Sequence, residues 1–105
     1  MTKPRVFVTK FQPDWDFSSA TEYGEVEFLT ELEMKPEPVV GSYNEAVRSE
    51  IRNRLAIYVP GVDYVVMTAS ATNNFVVARI LQPKGGMHNI LRWNGRKYKY
   101  ELFKI

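Results

Sequence analysis

The chain predicts an α/β fold: one small domain with a mixed sheet of about five strands, two packed helices and a C-terminal β-hairpin. Three observations carry this. Short β-branched runs at 6–11 and 63–67 each lead into a small polar segment able to open a helix, an amphipathic stretch separates them, and Asn94-Gly95 stands between two strand-like runs at the end. With 105 residues, 45% of them hydrophobic, the chain suffices for one core and is too short for two domains.

In the first run Val6 and Val8 alternate with Phe7, Thr9 and Phe11, so both faces are partly apolar and an inner strand is expected. Pro13 ends it. Asp16 or Ser18 is placed to cap a short helical turn through Tyr23, with Gly24 suited to a left-handed stop. Residues 25–30 alternate acidic and apolar side chains, which predicts a strand at or near the sheet edge with one wet face.

Lys35-Pro36-Glu37-Pro38 reads as a stiff connection within the domain. Ser42 and Glu45 then form an S-x-x-E capping box, and Tyr43, Val47, Ile51, Leu55 and Tyr58 recur on one helical stripe that Pro60-Gly61 terminates. The other side of this helix, with Arg48, Glu50, Arg52, Asn53 and Arg54, is read as a solvated face.

Residues 63–67 predict a central buried strand, parallel to the 25–30 strand if the helix between them is a right-handed crossover. Residues 75–81 admit two readings, a helix capped by Ser70 or Thr72 or the return strand of a hairpin turning at Asn73-Asn74. Cap residues, continuous apolarity and the stop at Pro83-Lys84-Gly85-Gly86 favour the helix. The closing hairpin is expected between 88–93 and 96–103, with Tyr98, Tyr100 and Leu102 inward and Lys97, Lys99 and Glu101 outward.

Much chemistry is excluded by composition. Without cysteine there is no disulfide, thiolate zinc site or cysteine nucleophile, and a single histidine, His88, cannot build a histidine-rich metal site. No calcium loop, G-x-G-x-x-G, P-loop or G-x-S-x-G sequence occurs, so no cofactor, metal or catalytic residue is assigned. The six-residue run after the basic start is shorter than a signal peptide's apolar core, and the absence of cysteine suits a reducing compartment, so the cytoplasm is expected.

The net charge of +2 conceals a polarity: residues 22–37 hold six glutamates and one lysine, whereas 84–104 hold six basic residues and one acid. If the 6–11 and 63–67 strands are parallel neighbours, the segments after them open at one sheet edge, where α/β proteins place ligands. The candidate ligand-binding set is therefore Trp15, Asp16, Ser18 and Ser19 after the first strand and Thr68, Ser70, Thr72, Asn73 and Asn74 after the other, with His88 and Arg92 from the hairpin. The serines and Thr72 would stand near phosphates, Trp15 would stack, and Asn73, Asn74 and Arg92 would supply polar contacts. Each has a structural alternative: core packing for the tryptophan, turn or cap duty for the aspartate and asparagines, and a satisfied internal bond for His88.

The order Val6-Phe7-Val8-Thr9, Trp15-Asp16-Phe17-Ser18-Ser19-Ala20, Tyr23-Gly24-Glu25-Val26-Glu27-Phe28-Leu29-Thr30 and Asp63-Tyr64-Val65-Val66, then a hydrophobic segment and a closing hairpin, resembles small uncharacterised accessory proteins of tailed bacteriophages. The resemblance implies a protein acting on the host, in the host cytoplasm. In those relatives the segment matching 75–81 looks helical and richer in alanine, and this chain departs there with Val76 and Val77. Three functions follow as expectations: sequestration of a small nucleotide-derived ligand without turnover, inhibition of a host protein by surface binding, and a small nucleotide-directed hydrolase. A homodimer or larger assembly is expected from the open sheet edges, with no membrane partner; nucleic acid is not favoured.

Overall fold

The structure, a computed structural model, describes residues 3–105. Five strands, β1 (Arg5–Val8), β2 (Glu25–Phe28), β3 (Tyr64–Val66), β4 (Asn89–Asn94) and β5 (Lys99–Lys104), form one sheet in the order β2-β1-β3-β4-β5. The first four are parallel in direction and β5 returns antiparallel to β4, so the sheet is mixed as expected. Two helices, α1 (Tyr43–Arg54) and α2 (Ala71–Leu81), provide the longer crossovers.

Periodicity explains the placement of β1. Val6 and Val8 enter the cluster on one sheet face and Phe7 the cluster on the other, so this strand can lie only inside the sheet. It is shorter than the expected 6–11 run, although the Phe11 N–H still reaches the Thr30 carbonyl at 2.8 Å. β2 occupies the edge, where Val26 and Phe28 pack inward and Glu27 meets Arg5 at 3.5 Å.

The two faces are covered differently. Val47, Ile51 and Leu55 of the first helical segment and Val77 and Leu81 of α2 pack on Phe7, Leu29 and Val65. On the opposite face, Phe17 and Ala20 of the connection holding the 3-10 turn Ser18–Glu22 pack on Val6, Val8, Val66, Leu91 and Tyr100. The preference for right-handed crossovers accounts for this division. The chain moves one way from β1 to β2 and the other way from β2 to β3, so the two connections lie on opposite faces.

Several local expectations are corrected. Gly24 does not take a left-handed conformation; it is needed because a Cβ there would stand 2.3 Å from the Pro4 carbonyl oxygen. The Ser42 side chain makes no capping bond, and the first turn instead begins with its carbonyl accepting the Ala46 N–H at 2.9 Å. α1 ends at Arg54, followed by a 3-10 turn over Leu55–Ile57, so Pro60-Gly61 lies beyond the helix and not at its stop.

The hairpin loop spans 95–98 and not Asn94-Gly95, because Asn94 pairs with Lys99 and its Oδ1 accepts the Arg96 and Lys97 N–H groups at 3.0 and 3.2 Å. The loop is longer by an even number of residues, so the inward row keeps its parity: Tyr100 is buried opposite Trp93, while Tyr98 moves into the loop and is 80% exposed. Leu102, placed in the same inward row, is 43% exposed.

The ambiguous 75–81 segment is helical. β3 and β4 are parallel, which requires a crossover and excludes a tight return at Asn73-Asn74. Asn73, Val77 and Leu81, spaced by four, are the buried face of α2. Ser70 precedes the helix without capping it by its side chain; its hydroxyl donates to Glu33 Oε1 at 2.9 Å.

Candidate functional site: a notch at the carboxyl edge

β1 and β3 are adjacent and parallel, with Val6 opposite Tyr64 and Val8 opposite Val66. Their following loops therefore leave the same sheet edge side by side, at the point where the strand order reverses. β4 outruns the shorter β3: after the Met67 N–H donates to the Leu91 carbonyl at 3.1 Å, Arg92, Trp93 and Asn94 continue with β5 alongside. The overhang leaves a notch of about 330 Å³, lined by Gln12, Trp15 and Phe17 from the first loop, residues 66–69 and Asn74 from the second, and Arg92, Trp93 and Tyr100 from the hairpin.

Aromatic rings build one wall. Trp15 stands edge-on to Trp93 at 6.0 Å, and Trp93 to Tyr100 at 5.1 Å. Trp15 remains 42% exposed, an unusual position for a large ring and one that leaves contact area open. Arg92 follows on β4, but its exposed guanidinium is bonded to Glu101 Oε1 at 3.1 Å and seated over the Phe103 ring at 4.7 Å, on the sheet face opposite Trp93 and Tyr100. Asn94, ahead of Arg92, and then Arg92 itself hold the Glu101 carboxyl below its usual range. A guanidinium carries five N–H donors, so this pairing leaves others for an anion.

A hydrogen-bonded floor joins the two loops. Thr9 Oγ1 lies 2.9 Å from Thr68 Oγ1 and donates to Asn74 Oδ1 at 2.6 Å, which also accepts the Thr68 N–H at 3.2 Å. The Asn74 amide donates back to the Thr68 carbonyl at 2.9 Å, and the Ser70 N–H donates to Thr68 Oγ1 at 3.2 Å. Two of the loop N–H groups expected to cradle an anion are thus already taken within the protein.

Of the sequence-selected residues, Trp15, Thr68, Asn74 and Arg92 line the notch. Asn73 does not: it is wholly buried, donating to the Leu32 carbonyl at 2.8 Å and accepting the Met34 N–H at 3.2 Å, so it anchors the segment after β2. Ser70 is buried on Glu33. Ser18, Ser19 and Thr72 are exposed and lie outside the notch lining, while the exposed Asp16 carboxylate accepts the Ser18 N–H at 2.8 Å, which holds its carboxyl below the usual range. His88 lies toward the opposite edge, before β4 begins, with Nδ1 2.7 Å from the Tyr58 hydroxyl. Burial, helped by the Asp63 carboxylate, pushes that Tyr58 phenol up to about 12.

Sequence reasoning missed Gln12, Trp93 and Tyr100 as site residues. Tyr100 was legible only as a member of the inward hairpin row; that this row ends beside the loops after β1 and β3 depends on strand order.

Among the described residues, no group of three or more His, Asp or Glu side chains could hold a metal ion, and no helix is long and apolar enough to cross a membrane. No curated protein and no solved structure matches the chain. A family model described as Phage Pam3 gp32-like protein matches residues 3–105, in agreement with the phage resemblance of the short motifs, and the chain belongs to that family.

Proposed function

We propose that this phage protein binds and sequesters a small nucleotide-derived ligand in the carboxyl-edge notch, without turning it over, as an accessory factor acting in the host cytoplasm. One observation carries the reading: the switch point of the sheet brings an exposed Trp15 ring, the Trp93 and Tyr100 rings and the polar groups of Thr68 and Asn74 into one concavity from three distant segments. A flat ring suits the indole. At about 330 Å³ the notch lies at the small end of ligand pockets, which favours a mononucleotide over a dinucleotide.

Native mass spectrometry with mono-, di- and cyclic nucleotides and ADP-ribose derivatives tests this, and the same spectrum reads the expected homodimer or larger assembly. A retained ligand of unchanged mass supports sequestration; conversion of the ligand supports the hydrolase reading instead. Trp15→Ala should weaken binding about tenfold or more, as loss of an aromatic stacking platform does. Absence of any retained ligand rejects the proposal.

A second reading, inhibition of a host protein, is favoured by a groove of about 790 Å³ between α1 and α2. Arg48, Arg52, Arg79 and Lys84 surround a floor that includes Val76 and Ile80, and Phe75 beside them is 76% exposed. These four cations have no ion-pair partner among the described residues, so an acidic protein surface is the complementary partner. An Arg48→Glu, Arg79→Glu variant should stay folded and lose a stoichiometric host partner in lysate capture if this reading holds.

A further inference from the structure

One edge of the sheet is open and the other is obstructed. His88 and Ile105 exchange reciprocal backbone bonds, 2.7 Å from the His88 N–H to the Ile105 carbonyl and 2.9 Å the other way. Bonded and non-bonded positions alternate along an antiparallel pair, so Phe103, Glu101 and Lys99 turn their backbone groups to β4, while the N–H and C=O groups of Tyr100, Leu102 and Lys104 point out of the sheet. Leu91, opposite Leu102, agrees with this, since its carbonyl accepts from Met67 on the β3 side. At the other edge, Glu25 and Leu29 donate to Pro4 and Val8, so β2 turns only Val26 and Phe28 outward, and the Phe28 carbonyl already accepts an Arg54 N–H at 3.4 Å. An unpaired edge is a template for a further strand, and β5 carries lysine only at its ends, with Leu102 43% and Phe103 37% exposed between them.

We infer that the β5 edge is the interface of a homodimer, in which β5 of two copies pairs antiparallel about a two-fold axis centred on Leu102 and joins the two sheets into one. The inference does not rest on the binding reading above. Residues directly opposite one another share a sheet face, so a two-fold pair of identical strands can be centred only on a residue. Centred on Leu102, the register sets Leu102 against Leu102 and Tyr100 against Lys104 in both directions, so every outward backbone group of β5 exchanges bonds with one of the partner copy. Leu91 already lies beside Leu102 and belongs to the buried cluster on that face, and the pairing extends this cluster across the axis. On the opposite face Phe103 of one copy comes beside Glu101 of the other, and the ion pair of Glu101 with Arg92 inside each copy is left intact.

The competing pairings are poorer. Centring on Glu101 sets two like charges directly opposite and leaves the Lys104 backbone groups unpaired; centring on Phe103 sets Leu102 against Lys104 and leaves those of Tyr100 unpaired. Self-pairing of β2 through its outward Val26 and Phe28 sets Glu27 against Glu27 and competes with Arg54 for the Phe28 carbonyl. Pairing of β5 with β2 of another copy is head-to-tail, so it leaves a free edge at each end and builds a chain in place of a closed dimer.

The chain has no cysteine, so single introduced thiols report the register. Hydrogen-bonded opposite residues stand about 5.5 Å apart, within reach of a disulfide, whereas Glu101 or Phe103 lies two positions away from its own copy, beyond the roughly 7 Å limit. Under mild oxidation Leu102→Cys should give a covalent dimer, and Glu101→Cys and Phe103→Cys should not. Sedimentation velocity of the unaltered chain should show a dimer whose fraction rises with concentration. Leu102→Pro removes an N–H that serves no bond within the chain, so it should keep the circular dichroism spectrum and weaken dimerisation about tenfold or more. A monomer throughout the concentration series overturns the inference. Crosslinking through Glu101→Cys or Phe103→Cys in preference to Leu102→Cys also overturns it, as does growth beyond the dimer, which is the signature of head-to-tail pairing. If Leu102→Pro fails to fold, the three cysteine variants still decide the outcome.

Discussion

Gly24 shows how a single position can be correctly singled out for the wrong reason. Its place after the 3-10 turn suggested a left-handed stop, whereas the actual constraint is close approach, since β2 begins where the chain passes the Pro4 carbonyl and Glu25 donates to it at 3.0 Å. Gly24→Ala should therefore destabilise the fold by about 1–3 kcal/mol through backbone displacement, measured by urea unfolding. Gly95, where a Cβ would meet nothing closer than 3.8 Å, is the matched control and should tolerate alanine far better.

Tyr58 supplies a pH test at the same scale. Its folded-state phenol is raised to about 12 from an ordinary value of 10.0, so the native state holds this proton where the unfolded chain has released it. The associated stability is complete below pH 10 and is lost as pH climbs toward 12. The melting temperature should fall over that interval, and Tyr58→Phe should fall less steeply, although at pH 7 it forgoes the 2.7 Å contact with His88.

At the scale of elements, two helix-associated polar residues with similar sequence credentials separate sharply. Asn73 joins α2 to the segment after β2 through two backbone groups and is fully buried, so Asn73→Ala should cost about 2–4 kcal/mol by leaving those groups unpaired. Ser42 has the better motif and makes no side-chain cap, so Ser42→Ala should stay within about 0.5 kcal/mol. Differential scanning calorimetry on both variants checks the contrast. A capping box records what residues can do, whereas the chain entering from the Pro-rich connection sets which bond forms. Element identity was nonetheless readable: the four-residue spacing through Val47, Ile51 and Leu55 required a helix, and both faces of β1 required an inner strand.

For the whole molecule, the consequence of the topology is one sheet with a separate apolar cluster on each face, both built on β1 and β3. Leu55 lies in one cluster and Leu91 in the other, each fully buried. Leu55→Ala and Leu91→Ala should each cost about 2–5 kcal/mol. They should shift the same single urea transition, because neither cluster keeps its floor once the shared strands separate. Two resolved transitions would show the faces to unfold independently.

The sequence by itself determined the fold class, the inner first strand, the first helix, the closing hairpin, the phage family likeness and the sheet edge at which to look, because these rest on local periodicity, turn chemistry and short motifs. Of the residues it singled out, Trp15, Thr68, Asn74 and Arg92 line the notch at that edge. Only the tertiary structure decided that 75–81 is a helix, that Asn73 and Ser70 are internal anchors, that His88 belongs to Tyr58, and that Tyr100 comes to the notch with its hydroxyl unpaired. The reason is physical: a polar side chain's role depends on which distant backbone groups lack partners, and that is settled by strand order and packing, which no local pattern encodes.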